Sequence, residues 1–142
     1  MRRALAIFVL ALSFAAPAVA RAQDVPATEE DPSVVKLREK FREGFEKYRA
    51  GQYGEAILVW NPIYKELGPA KGYRLSFNLA RAFDQIHDEL RAADHYEAYL
   101  DEVEARLNTG ETLEPMVLKQ RDEANERIEE LRAEMLLAAE NL

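Results

Sequence analysis

His87 and His95 are the only imidazoles in the chain, and their spacing limits what they can do. They stand eight residues apart with a turn predicted between them, whereas two ligands on one helical face sit four apart; no H-E-x-x-H occurs. Both are expected to be exposed and structural, His87 in a turn and His95 on an acidic helix. Carboxylates are abundant, so pairs such as Asp101/Glu102 and Glu129/Glu130 read as solvated helix faces. No G-x-S-x-G, phosphate loop or glycine-rich nucleotide fingerprint is present. Cysteine is absent, which excludes disulfides and thiolate metal sites. These residues argue for a binding protein with no catalytic centre, cofactor or metal.

What recurs instead is a pattern at an offset of 36 residues. Arg38 falls on Arg74, Phe41 on Phe77 and Gly44 on Ala80; further on, Ala56 falls on Ala92, Trp60 on Tyr96 and Ile63 on Tyr99. A period between about 20 and 50 residues signals stacked helical or mixed units, none of which can bury its apolar face alone.

The elements that must carry this pattern read as five helices, with no segment of strand-like alternation. Val34, Leu37, Phe41, Gly44/Phe45 and Tyr48 form one apolar stripe at spacings of three and four, ending before Gly51. Asp31 or Ser33 can cap this helix, and Pro32 suits its first turn. A second helix carries Ala56, Ile57, Val59, Trp60, Ile63, Tyr64 and Leu67; Pro62 predicts a kink or break near Asn61, and Gly68-Pro69 ends it. The third, about 72–87, buries Leu75, Leu79, Ala80, Phe83 and Ile86. The fourth, about 89–107, buries Leu90, Ala93, Tyr96, Tyr99, Leu100 and Val103. Asn108-Thr109-Gly110 is a stop, after which Thr112 or Glu114 caps a fifth helix with Pro115 in its first turn.

The N-terminus has the layout of a secretory signal peptide. Arg2 and Arg3 precede an uncharged apolar run from Ala4 to Phe14, followed by small residues up to Ala22. The run is short of the roughly 20 residues that span a bilayer. Cleavage is expected after Ala22, with Ala20 as the alternative, so residues 1–22 form the signal peptide and 23–33 a flexible acidic linker. Loss of Arg2, Arg3 and Arg21 takes the formal charge from −7 to −10, with 16 basic residues against 26 acidic. That balance disfavours nucleic acid and anionic membrane surfaces, which need clustered Lys and Arg. The expectation is a periplasmic or secreted bacterial protein with no stable membrane span once processed.

Over residues 35–107 the chain resembles the tetratricopeptide repeat (TPR) family. Leu79, Ala80 and Phe83, with Ala92, Tyr96 and Tyr99, match the large, small and aromatic positions of one unit; Gly44, Tyr48, Gly51, Tyr53, Ala56 and Trp60 match the other. Small residues at Gly44/Ala80 and Ala56/Ala92 let paired helices approach while aromatics fill the space beside them. The period of 36 exceeds the family's 34, the second unit has His87 where the turn glycine belongs, and Pro62 interrupts a helix that the family keeps continuous. Glu43 and Lys47 also rotate the first stripe relative to the third.

The resemblance implies an all-α fold: two TPR-like antiparallel hairpins (about 34–68 and 72–107) in a right-handed solenoid arrangement, with a long C-terminal capping helix at 112–142. It also implies a groove for a peptide or helix of another envelope protein. The groove positions are Arg38, Phe41, Arg42, Phe45 and Tyr48, then Arg74, Phe77, Asn78, Arg81 and Gln85. Arginines over an aromatic floor suit a carboxylate-bearing peptide, and Asn78 can serve its backbone. The competing reading puts Phe41, Phe45 and Tyr48 in the core and leaves the arginines paired with acidic neighbours. In the fifth helix, Val117, Arg121, Ala124, Ile128, Leu131, Met135, Ala138 and Leu142 form a heptad seam. It either caps the array or pairs two chains as a homodimer, with Ile128, Leu131, Met135 and Leu142 as the contact residues.

Overall fold

The computed structural model describes residues 31–141, so the signal-peptide expectation, the linker up to Glu30, and Leu142 lie outside the described residues. Four helices make up the rest: α1 (Pro32–Arg49), α2 (Tyr53–Gln85), α3 (Glu89–Asn108) and α4 (Pro115–Glu140). The described residues contain no strand, and the fold is all-α. Each helix packs against the next in order, α1 on α2, α2 on α3 and α3 on α4.

The second and third of the five expected helices meet end to end in α2, with no loop between them. The break lies at Gly68, whose φ of 74° and ψ of 171° are the only non-helical values inside α2. Glycine has no Cβ to clash in that region, and Pro69 can follow because a proline is tolerated in the first turn of a new arm. No break occurs at Pro62. The carbonyl it leaves without a helical donor is that of Leu58, whose side chain is 75% exposed, so water can satisfy that face. Gly68 divides α2 into a first arm (53–67) and a second arm (69–85).

The 36-residue echo reappears in the backbone hydrogen bonds of the turns. Gln52 N–H donates to Lys47 C=O after α1, and Asp88 N–H donates to Phe83 C=O after α2, the same bond 36 residues on. Gly51 and His87 occupy the same left-handed position, at φ 76° and 58°. A third such turn follows α3, where Glu111 N–H donates to Arg106 C=O beside Gly110. All three are glycine-type helix ends, and His87 adopts the conformation without the residue best suited to it. Asp31 caps α1 by accepting from Ser33 N–H at 2.8 Å, as its position suggests. Glu114 holds the cap position of α4 but makes no side-chain cap bond, being engaged elsewhere.

Small residues against aromatics organise the core. Ala56, Ala80 and Ala92 are fully buried, and so are Phe77, Tyr99 and Val103. Tyr99 ties three helices together: its ring stacks on Tyr73 and tilts against Phe77, and its hydroxyl donates to Val117 C=O at 2.9 Å. Burial pushes the Tyr99 phenol up to about 12, so it remains a donor throughout the physiological range.

On α1 the only fully enclosed residue is Gly44. It lies directly over the indole of Trp60, which is 1% exposed, and a Cβ added there would stand 2.2 Å from Trp60 Nε1. That Nε1–H donates to Phe41 C=O at 3.1 Å, so the indole is also pinned to the α1 backbone. Replacing Gly44 by Ala should destabilise the protein by about 2–3 kcal/mol through overpacking. Gly54, whose added Cβ would meet nothing within 4 Å, should tolerate Ala with no loss. Denaturant midpoints of the two variants check this; equal midpoints would show that α1 does not rest on the indole.

Candidate functional site

Because α1 approaches Trp60 through a glycine, its larger apolar side chains flank the indole instead of covering it. Phe41 and Tyr48 stack on either side of the Trp60 ring, with centroids 6.1 and 6.0 Å away. Phe41 remains 38% exposed, and Phe45 and Val34 are exposed too. The core reading of these aromatics is therefore corrected for Phe41 and Phe45, while Tyr48 is half-buried. Glu43 is exposed, and Lys47 sits at the α1 edge with its Nζ 2.7 Å from Glu55.

Between α1 and the two arms of α2 this arrangement opens a hollow of about 320 Å³. Val34, Leu37 and Phe41 form one wall; Ile63, Leu67 and Leu75 form the floor and the other wall. Arg38, Lys71 and Arg74 stand at its edge. The Gly68 break makes the site, since it turns the chain so that Lys71, Arg74 and Leu75 face α1. Of the residues expected in a groove, Arg38, Phe41 and Arg74 are brought together here. Ile63, Leu67, Lys71 and Leu75 escaped the sequence reading, because their convergence depends on where α2 bends.

The other expected groove residues are distributed differently. Phe77 is fully buried and cannot touch a partner; its position in the echo marks core. Arg42 is exposed on α1, and Asn78 is half-buried. Arg74 is bidentate to Glu114, with N–O distances of 3.3 and 3.0 Å, and its Nε donates to the Tyr73 hydroxyl. The Arg74 guanidinium in turn holds the Glu114 carboxyl below its usual range. Arg81 lies over the rings of Tyr48 and Phe77 at 5.5 and 5.9 Å, and 3.9 Å from Glu123. Gln85 is exposed at the mouth of a polar cleft of about 190 Å³ formed with Arg81, Asp84, Tyr96, Glu123 and Arg127. Arg127 crosses that cleft to both Asp84 oxygens, at 2.8 and 2.9 Å, and also reaches Glu130 and Glu134. The second arm and α4 thus face each other across three cation–carboxylate pairs, which occupy the space a groove ligand would take.

On α4, Ile128 and Leu131 are buried in the core and Met135 packs against it. Ile128 and Leu131 are therefore enclosed within the chain and not available for pairing. Leu136 and Leu137, which the same distal stretch of the seam includes as candidates for pairing, are exposed.

His95 departs from expectation. It is half-buried between Phe83, stacked at 5.4 Å, and the edge of Tyr64 at 5.1 Å. Fully buried Ser76 donates its hydroxyl proton to His95 C=O at 2.9 Å, with Nδ1 of the same ring 3.1 Å from Oγ. With the serine proton committed to the carbonyl, Nδ1–H donates to Oγ, which makes the pair a structural clasp between α2 and α3. Among the described residues no group of three or more His, Cys, Asp or Glu is placed to hold a metal ion, and no helix is long and apolar enough to cross a membrane.

Comparison with protein-family models, with curated proteins and with solved structures finds no match.

Burial holds His95 below its ordinary value of 6.5, with Asp94 opposing weakly. As the pH falls, the unfolded chain takes up this proton before the folded one does, so His95 favours unfolding below about pH 6.5 and has no effect above it. The denaturation midpoint should therefore drop between pH 7.5 and 5.5 by more in the native chain than in His95→Gln. Parallel pH dependence of the two proteins would show that His95 is not held neutral.

Proposed function

We propose that this chain is an exported, TPR-like scaffold that binds an apolar-anchored helix or peptide of a partner protein, and that it is not an enzyme. The observation that carries the reading is the open hollow between α1 and α2, apolar within and cationic at its edge. Three further features support it: the turn hydrogen bonds repeated 36 residues apart, the alignment of α2's second arm with α4, and the signal-peptide pattern of residues 1–22. Together they suit two stacked hairpins with α4 closing the open end, in a protein that works outside the cytoplasm.

The hollow is at the small end of the range for ligand sites, which run from about 300 to 1,000 Å³. It has room for one or two aliphatic side chains, and each of Leu size contributes about 1.5–3 kcal/mol on burial. After the cost of association, a site of that size supports micromolar or weaker binding, as fits a scaffold with exchangeable partners. With Arg74 committed to Glu114, the positive charge of Arg38 and Lys71 at the edge selects which peptide enters and favours carboxylates beside the apolar anchors.

A benzophenone side chain at position 41 tests this in the native host. A discrete protein adduct is expected from position 41, lost when Val34 is replaced by Asp, and none from exposed position 126 on α4. No adduct at 41, or the same adducts from both positions, would refute the docking role of the hollow.

A further inference from the structure

The ion pairs between the second arm of α2 and α4 also fix how these helices run. Arg74 meets Glu114, Arg81 meets Glu123, and Asp84 meets Arg127, so the two segments are parallel and in step. The second arm ends at Gln85, level with Arg127, whereas α4 continues to Glu140. About 13 residues, or roughly 20 Å at 1.5 Å per residue, therefore extend past the end of α2. On the α3 side, the last cross-helix bond is that from Arg132 to Glu97 at 2.8 Å. Beyond Met135 the helix has no buried residue, and Leu136 and Leu137 are 68% and 60% exposed.

This tail has the chemistry that the hollow selects. Residues 129–140 carry four carboxylates (Glu129, Glu130, Glu134 and Glu140) against one cation, Arg132; Arg127 engages Glu130 and Glu134, so Glu129 and Glu140 supply the tail's excess negative charge. Residues 36–42 of α1 carry four cations (Lys36, Arg38, Lys40 and Arg42) against one carboxylate, Glu39; Arg38 lines the hollow, and Lys36 and Lys40 line the recess that adjoins it at Leu37. In a chain of net charge −7 that basic run is a local inversion, and the acidic apolar tail is its complement within the same sequence. A tail cannot reach the hollow of its own chain: the start of α4, at Glu114, is what lies beside Arg74 at the hollow's edge, and the helix runs roughly 39 Å from there to Glu140.

We propose that the α1–α2 hollow takes the Leu136–Leu137 end of α4 from a second copy of the chain, joining copies head to tail. The proposal rests on the docking reading of the hollow and names its occupant. The contact uses two different surfaces, so it does not close on itself as a two-fold dimer does; it leaves a free hollow at one end of the assembly and a free tail at the other.

The test is a mixing experiment followed by sedimentation of the full chain. The native protein should increase in average mass with concentration. Val34→Asp, which blocks the hollow, and Leu136→Asp/Leu137→Asp, which blocks the tail, should each associate at least tenfold more weakly. An equimolar mixture of the two should form a heterodimer and nothing larger, because one variant offers an intact tail and the other an intact hollow. All three positions are exposed, so the variants should keep native circular dichroism; Phe41→Asp is a second block of the hollow. A mixture that stays monomeric, while the native protein associates, would overturn the head-to-tail contact in favour of tail pairing. A native protein that is monomeric at every concentration would overturn self-docking altogether. In that case a position-41 adduct with a different protein would still uphold the docking reading, and its absence would remove both.

Discussion

A tryptophan lying under a glycine is the contact on which the outer half of this protein depends. Trp60 is the largest fully buried side chain, and it can be covered only by backbone, because a Cβ at Gly44 would fall inside its van der Waals surface. The indole N–H then takes up a carbonyl of α1, that of Phe41, whose own ring stacks against the indole. One glycine, one indole and one hydrogen bond thus set the distance and rotation of α1 on α2. At that rotation the aliphatic and aromatic residues of α1 flank the contact and remain open to solvent, where a side-chain-to-side-chain interface would have enclosed them. The hollow is the direct consequence of seating a helix through its smallest residue.

The inner half is held differently. Alanines at positions 56, 80 and 92 bring helices together over a continuous aromatic layer, and the Tyr99 hydroxyl fastens that layer to the start of α4. Charged side chains then close the face between the second arm of α2 and α4. Exposed pairs such as Arg81–Glu123 add little stability, since solvent screens them. Their effect is geometric: they fill the cleft and hold α4 in step with α2. The arginines that would serve a peptide groove there are used inside the chain, and the open apolar surface moves outward to α1.

Much of the scaffold was legible in the sequence because it rests on local chemistry. Turn residues that favour a left-handed conformation, caps such as Asp31, and alanines at helical spacing each identify their own element. The echo even located His87 as the counterpart of Gly51, and the two share backbone geometry. Gly68-Pro69 marked the break where it lies, whereas Pro62 does not break the helix. Pro62 removes one helical hydrogen bond, to Leu58 C=O on an exposed face, and the packing of α2 on its neighbours, which no local pattern announces, keeps the arm helical there. The same holds for Phe77 and Phe41, which occupy equivalent positions yet differ in fate: one faces the Tyr96–Tyr99 layer, the other stacks on an indole and stays open to solvent. The partners of Ser76 and Arg127 lie 19 and 43 residues away, so no local pattern announces them.

Trp60 is the only tryptophan in the chain, so its indole N–H gives a single resonance that reports directly on how α1 is seated. Hydrogen exchange of that proton is the most direct test. A proton buried beneath Gly44 and bonded to Phe41 C=O should exchange only on cooperative opening, as slowly as the core amides of α2. Exchange at the rate of a solvent-exposed indole would mean that α1 does not cover Trp60, and that the hollow described here does not exist in solution.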